Sequence, residues 1–258
     1  MNTKKIIVGN LKMNLITLSE RDGYLKLLKS EIKKMKNDGS WELILCVPFV
    51  HLDFFSKNLK GKNIYPGVQN IFWDERGSFT GEISPVMAKE YGAKYSIVGH
   101  SERRRYFNES DQEVNKKIKI AIKNQITPIL CVGETSDERS RGMTKEIVSH
   151  QLLDGLEGVL PLQSEKIIVV YEPAWAVGSD IEPTSNEIME ARILVRKLLT
   201  QKYGEAVAGK VKVLYGGSVK AKLVKKVCLD PQMDGVLVGR ESLAPVNLIE
   251  IIQSLVKC

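Results

Sequence analysis

Metal and disulfide chemistry find little to work with in this chain. Of its 258 residues only three are His and four are Cys. The cysteines, Cys46, Cys131, Cys228 and Cys258, form no C-x-x-C pair, and no His stands at ligand spacing from them. Neither a zinc site nor a disulfide framework is expected. Long hydrophobic runs are missing as well. The first apolar run, Ile6-Ile7-Val8, is too short for a signal sequence or a membrane span. A reducing cytoplasm is the expected location. No linker or low-complexity tract divides the chain, and no G-x-G-x-x-G turn follows the first apolar run. The second absence counts against an open, doubly wound dinucleotide-binding sheet. Acid is the scarcer charge, with 31 Asp and Glu against 38 Lys and Arg, a net charge of +7. The excess base lies over 29–36, 116–123 and 220–226, alternating with apolar positions. That is the pattern of solvated helix faces, and no recognition motif accompanies it. Neither nucleic acid nor membrane is expected as a partner.

What is present is a large apolar fraction, 43% of residues, enough to bury a substantial core. It is distributed in short runs with strand character: Ile6–Leu11, Leu43–Pro48, Asn63–Gln69, Tyr95–His100, Thr127–Val132, Ile167–Glu172, Val211–Tyr215 and Gly235–Gly239. The third is the weakest, because Pro66 has no N–H to give a ladder. Segments with helical spacing separate or follow these runs: from about Leu18, near Leu52–Leu59, and over Asp111–Lys123, Lys145–Val159, Asn186–Lys202, Val219–Val227 and Val246–Leu255. About eight strand–helix units in roughly 250 residues predict a single (β/α)8 barrel over residues 1–258. One connection, Ile71–Pro85, is long, and loops of that length usually have a function.

In such a barrel the strands' C-terminal ends build the active site, so the polar residues there are the candidates. The first run ends in Asn10-Leu11-Lys12, with Asn10 and Lys12 on one side if strand alternation continues. The fourth ends in His100-Ser101-Glu102, a helix start. The sixth ends in Glu172, followed by Pro173-Ala174-Trp175-Ala176-Val177-Gly178. An apolar loop on the surface makes sense as a lid, although the same stretch also fits a half-buried acid at a helix N-cap. Gly216-Gly217-Ser218 and Gly239-Arg240 close the seventh and eighth, where exposed N–H groups and helix starts favour phosphate. A carboxylate, an imidazole and an ammonium facing a phosphate site point to proton transfer beside a carbonyl.

The segments Asn10–Asn14, Gly77–Ser84, Gly99–Arg104, Tyr171–Gly178 and Leu214–Val219, in this order, resemble the triosephosphate isomerase family. The resemblance runs from Ile7 to near the C-terminus. It implies interconversion of dihydroxyacetone phosphate and glyceraldehyde 3-phosphate. Glu172 would be the base, His100 the electrophile at the carbonyl oxygen, and Lys12 the counter-charge, with Asn10 as polar partner. Backbone N–H groups of Gly178, Ser218, Gly239 and Arg240 would hold the phosphate. It implies no metal and no organic cofactor, and a neutral His100 with a pKa below an ordinary histidine's, an arrangement for which this family is itself the standard example. It also implies a homodimer in which the Ile71–Pro85 loop, with Phe79 and Thr80 at its tip, reaches the partner near Asn10 and Lys12.

Three departures stand out. The family usually has Gly-Gly-Ala-Ser after the eighth strand, where this chain has Gly239-Arg240-Glu241-Ser242. The second lid hinge reads Ser179-Asp180-Ile181, with Asp180 expected to turn outward because Pro183 and Thr184 announce the next helix. The long loop contains Trp73-Asp74-Glu75-Arg76. Two other readings fit parts of the pattern. One is a Schiff-base aldolase with Lys12 as nucleophile. The other is a basic nucleic-acid-binding protein on an inactive barrel.

Overall fold

The strands account for the architecture. The computed structural model describes residues 4–35, 39–59, 61, 63–178 and 181–256, so the expectations placed on Ser179, Asp180 and Cys258 lie outside the described residues. The strands are β1 (Lys5–Asn10), β2 (Trp41–Val47), β3 (Ile64–Val68), β4 (Tyr95–Val98), β5 (Thr127–Val132), β6 (Ile168–Tyr171), β7 (Lys212–Tyr215) and β8 (Gly235–Val238). Each pairs in parallel with the next, and β1 pairs with β8 to close the barrel. The helices are α1 (Leu18–Lys33), α2 (Leu52–Asn58), α3 (Pro85–Glu90), α4 (Ser101–Phe107), α5 (Asp111–Lys123), α6 (Ser136–Ser140), α7 (Thr144–Gly155), α8 (Pro161–Ser164), α9 (Ser185–Tyr203), α10 (Glu205–Ala208) and α11 (Pro245–Val256). Among the described residues no helix is long and apolar enough to cross a membrane.

Strand residues are apolar on both faces because both faces are covered. Ile6 and Val8 of β1, Ile129 and Cys131 of β5, and Ile168 and Val170 of β6 pack inside the barrel. Their neighbours Ile7, Leu130 and Val169 pack outward against the helices. With a period of two, the next inward positions after Val8 and Val170 are Asn10 and Glu172, and both are buried at the mouth.

Helix starts follow local chemistry. The Thr184 hydroxyl accepts from the Glu187 N–H at 3.2 Å while the Glu187 carboxylate accepts from the Thr184 N–H at 2.7 Å, a reciprocal cap on α9. Ser110 and Glu113 do the same for α5. The helix expected after Pro183 and Thr184 is therefore present.

Two elements differ from expectation. In place of a helix over Val219–Val227 there is a 3₁₀ turn, Ala221–Leu223, and then a wide π turn, Lys225–Leu229. The Asp230 N–H bonds the Lys225 carbonyl five residues back. Val224, Val227 and Cys228 are buried by this wider winding, so the apolar spacing is met without an α-helix. In addition, β1 ends at Asn10, and Lys12 takes a left-handed φ of 51°. Strand alternation therefore stops before Lys12. Pro66 does sit inside β3, and the β3–β4 ladder is reduced to Gly67–Tyr95 and Val68–Ser96.

Gly133, just past β5, shows how tightly the mouth is built. A Cβ there would lie 2.0 Å from the carbonyl oxygen of Glu172. The β5–β6 approach that seats Glu172 thus requires a residue without a side chain. Gly133→Ala is expected to cost about 3 kcal/mol, and to lower Tm by on the order of 10 °C in a thermal melt. A melt within 2 °C or so of the parent would show that the loop gives way freely.

Candidate active site

Five strand ends converge on one mouth. Glu172 follows β6 and is 2% exposed. Its Oε2 accepts from the Ser101 N–H at 2.9 Å, and its Oε1 lies 2.9 Å from His100 Nε2. His100 is the N-cap of α4, and its Nδ1 accepts from the Glu102 N–H at 3.2 Å. That acceptance places the proton of a neutral ring on Nε2, the nitrogen facing Glu172. The carboxylate is thus held by two donors from a single β4–α4 turn.

Lys12 reaches the same turn from the other side of the barrel. Its Nζ donates to Glu102 Oε1 at 2.5 Å. Its backbone is set by a bond from its N–H to Asn10 Oδ1 at 3.0 Å and by Gln69 Nε2 donating to its carbonyl at 2.9 Å. Asn10 and Lys12 thus meet through this turn rather than through strand alternation. Lys12 also lies against Gly239: a Cβ on that glycine would be 3.7 Å from Lys12 Nζ.

Beyond Lys12 is a small cavity of about 90 Å³, lined by Gly178, Gly217, Ser218, Gly239 and Arg240 among others. All the residues expected to hold a phosphate therefore share one pocket, with Lys12 on its wall. Glu241 also borders it, but its carboxylate accepts from Asn247 Nδ2 at 2.7 Å.

The 173–178 loop, expected to form a lid, begins on a firm anchor. Trp175 Nε1 donates to Glu134 Oε1 at 2.8 Å, and the Tyr171 hydroxyl donates to the same carboxylate at 3.2 Å. The Arg139 guanidinium stacks 3.7 Å from the Trp175 ring centre and pairs with Glu187 of α9. Gly178 has φ 69°, a left-handed conformation that suits glycine.

Comparison with known proteins gives this arrangement a family. The sequence profile described as Triosephosphate isomerase matches residues 5–255. The chain belongs to the triosephosphate isomerase family. The triosephosphate isomerase of Clostridium perfringens is 40% identical over 247 residues, covering 96% of this chain and 98% of that one. That of Clostridium tetani is 43% identical over 240 residues, covering 93% and 92%. The crystal structure of triosephosphate isomerase from Bartonella henselae matches with a TM-score of 0.85 at 33% identity, covering 97% of this chain and 98% of that one.

Within this triosephosphate isomerase mouth, two residues matter more than their sequence context indicated. Glu102 bonds Lys12 directly and lies 3.7 Å from His100 Nδ1. Its place in the helix start after His100 was the signal. Cys131, expected only as a core hydrophobe, faces Glu172. Burial pushes its thiol pKa far up and the Glu172 charge adds to this. Nothing in the local sequence announces that contact, because it joins the neighbouring strands β5 and β6, whose ends are far apart in the chain.

The two central groups titrate against each other. Burial acts to raise the Glu172 pKa, but the His100 ring and the Ser101 N–H outweigh it and leave the carboxyl below the usual range. For His100, burial opposes the imidazolium, while the Glu172 charge and hydrogen bond, with Glu102 behind them, favour it; Lys12 opposes it. The net direction is upward from an ordinary histidine. The depressed value that the resemblance implies leaves out the acid resting on Nε2. Glu172→Gln removes the main raising influence and leaves Glu102 alone against burial and Lys12, both lowering. NMR titration, with His51 and His150 assigned by mutation, is therefore expected to show the His100 pKa lower in Glu172→Gln than in the parent. An unchanged or higher value would mean that another group sets it.

Proposed function

We propose that Glu172 is the base and His100 the electrophile by which this member of the triosephosphate isomerase family interconverts dihydroxyacetone phosphate and D-glyceraldehyde 3-phosphate. The supporting observation is the facing pair itself: a buried carboxylate and an imidazole Nε2 2.9 Å apart, beside a cavity suited to phosphate. Substrate entering between them replaces that contact. Glu172 then takes the proton from the carbon next to the carbonyl, and the C–H electron pair forms the C=C bond of the enediolate. The carbonyl electron pair moves to oxygen, where the His100 Nε2–H donates a hydrogen bond. His100 Nε2 gives its proton to that oxygen and takes the proton of the neighbouring hydroxyl, whose O–H electron pair becomes the new C=O bond, while the protonated Glu172 returns its proton to the other carbon, so the isomerisation ends with no net change in the protein. Lys12 supplies positive charge between enediolate and phosphate, with Asn10 fixing its backbone. The N–H groups of Gly178, Ser218, Gly239 and Arg240 hold the phosphate. Closing the 173–178 lid keeps water from the enediolate, which otherwise expels phosphate.

The Schiff-base reading draws no support from this geometry, because Lys12 Nζ is engaged as a donor to Glu102 rather than offered as a free amine. Glu172→Gln keeps the shape and removes the proton acceptor. A coupled isomerase assay is expected to show kcat reduced about a thousandfold, with a smaller change in KM. Retention of a tenth of the parent kcat would refute Glu172 as the base.

We further propose that the chain acts as a cytoplasmic homodimer, each subunit a single barrel. The 71–85 loop is stiffened from within. The Phe72 and Trp73 rings stack at 4.1 Å, Phe72 meets Phe79 at 4.4 Å, and the Ser84 hydroxyl donates to the Glu75 carbonyl at 2.7 Å. The unusual Trp73-Asp74-Glu75-Arg76 stretch is tied to α5, with Glu75 bonded to Lys123 at 2.9 Å and to Asn124 at 3.1 Å. Next to Lys12, Met13 is 91% exposed and Ile16 82%. Apolar side chains that open beside the catalytic lysine support a partner's loop covering them. Deleting residues 73–79 is expected to yield monomers of low activity by light scattering and assay. Fully active monomers at micromolar concentration would overturn the dimer.

A further inference from the structure

The loop after β8 carries a charge that the phosphate reading has not used. The Arg240 side chain is exposed and extends over the cavity toward the lid: a Cβ on Gly178 would stand 3.9 Å from Arg240 Nη2. Among the described residues Arg240 forms no ion pair. Two other charges at this cavity are already engaged. Lys12 is committed to Glu102, and Glu241 is drawn toward Asn247 at the start of α11. Lys220 lines the cavity from the loop after β7. Among the described residues, the pocket thus has one guanidinium, held at the seam between the eighth strand's loop and the lid and paired with no anion.

We propose that the Arg240 guanidinium is a second, side-chain ligand of the substrate's phosphate, closing the pocket from the lid side. The inference rests on the phosphate reading of this cavity and goes beyond it, since that reading uses only the backbone N–H of Arg240. A guanidinium offers planar, paired donors that fit two phosphate oxygens, whereas an amide contributes one. The position beside Gly178 matters as much as the charge. A phosphate bound to the N–H groups of Gly178 and Gly239 lies between the two loops, within reach of Arg240 Nη2. The bound anion then bridges guanidinium and lid, so that phosphate and lid closure favour each other. The usual Gly-Gly-Ala-Ser of the family has no side chain to do this. In this chain Glu241 follows immediately, and its attachment to Asn247 keeps a carboxylate from competing for the guanidinium.

Arg240→Gln keeps the backbone N–H and most of the size while removing the charge, and Arg240→Lys restores the charge without the planar fork. Calorimetric titration with inorganic phosphate is expected to give a Kd about tenfold weaker in Arg240→Gln, with partial recovery in Arg240→Lys. The KM for glyceraldehyde 3-phosphate is expected to rise by a similar factor, and kcat to fall less than about threefold. A matching thermal melt for each variant excludes a folding effect. An unchanged Kd in Arg240→Gln, or tighter phosphate binding in Arg240→Gly, would overturn the proposal. The latter would show the side chain obstructing the pocket rather than completing it. A parent protein that binds inorganic phosphate through Arg240 but fails to isomerise triose phosphates would sink the catalytic reading and leave this assignment standing.

Discussion

Everything at the mouth of this barrel turns on holding an ionised carboxylate almost out of reach of water. Taking a charge like that of Glu172 out of solvent costs several kcal/mol unless donors replace the lost hydration. The donors come from one short turn: the Ser101 N–H and the His100 Nε2. They are enough to keep the carboxyl below its usual pKa despite burial. One of the two is a side chain, able to move in a way that a backbone N–H is not. An ion pair with Lys12 would have held the charge more firmly. Instead, Lys12 is assigned to Glu102.

That division explains why the barrel has to close. The β4–α4 turn provides donors to a residue at the end of β6, with β5 between the two strands. Gly133 at the end of β5 lets the Glu172 backbone come close enough. On the opposite side, β8 pairs with β1 and brings Gly239 against Lys12. Glu172 and His100 thus lie on one side of the mouth, and Lys12 with the cavity of Gly178, Ser218, Gly239 and Arg240 on the other. The 173–178 loop runs from the end of β6 to this cavity, with Trp175 held by Glu134 and Arg139.

Much of this was already written in the chain. Apolar runs about eight in number, alternating with helical patterns, specify a covered parallel sheet, and their bounds agree with the strands to within two residues or so. Thr184 and Glu187, or Ser110 and Glu113, start helices by chemistry confined to four neighbouring residues, so local sequence suffices to place them. Asn10, Lys12, His100, Glu172 and the glycine-rich ends could be named because the ends of strands in such a barrel all point to one place.

What the tertiary structure alone decided are contacts between residues far apart in the chain. The Lys12–Glu102 pair, the approach of Cys131 to Glu172, and the direction of the His100 pKa depend on which strand ends meet, and side-chain patterns do not encode those distances. The same holds for the left-handed Lys12, where a turn through Asn10 overrides the period of the strand, and for the π turn at Lys225–Leu229, where packing of Val227 and Cys228 outweighs helical spacing. Periodicity and caps are properties of neighbours in sequence, and the sequence by itself determined them. Charge balance is a property of neighbours in space, and it exists only once the barrel has closed.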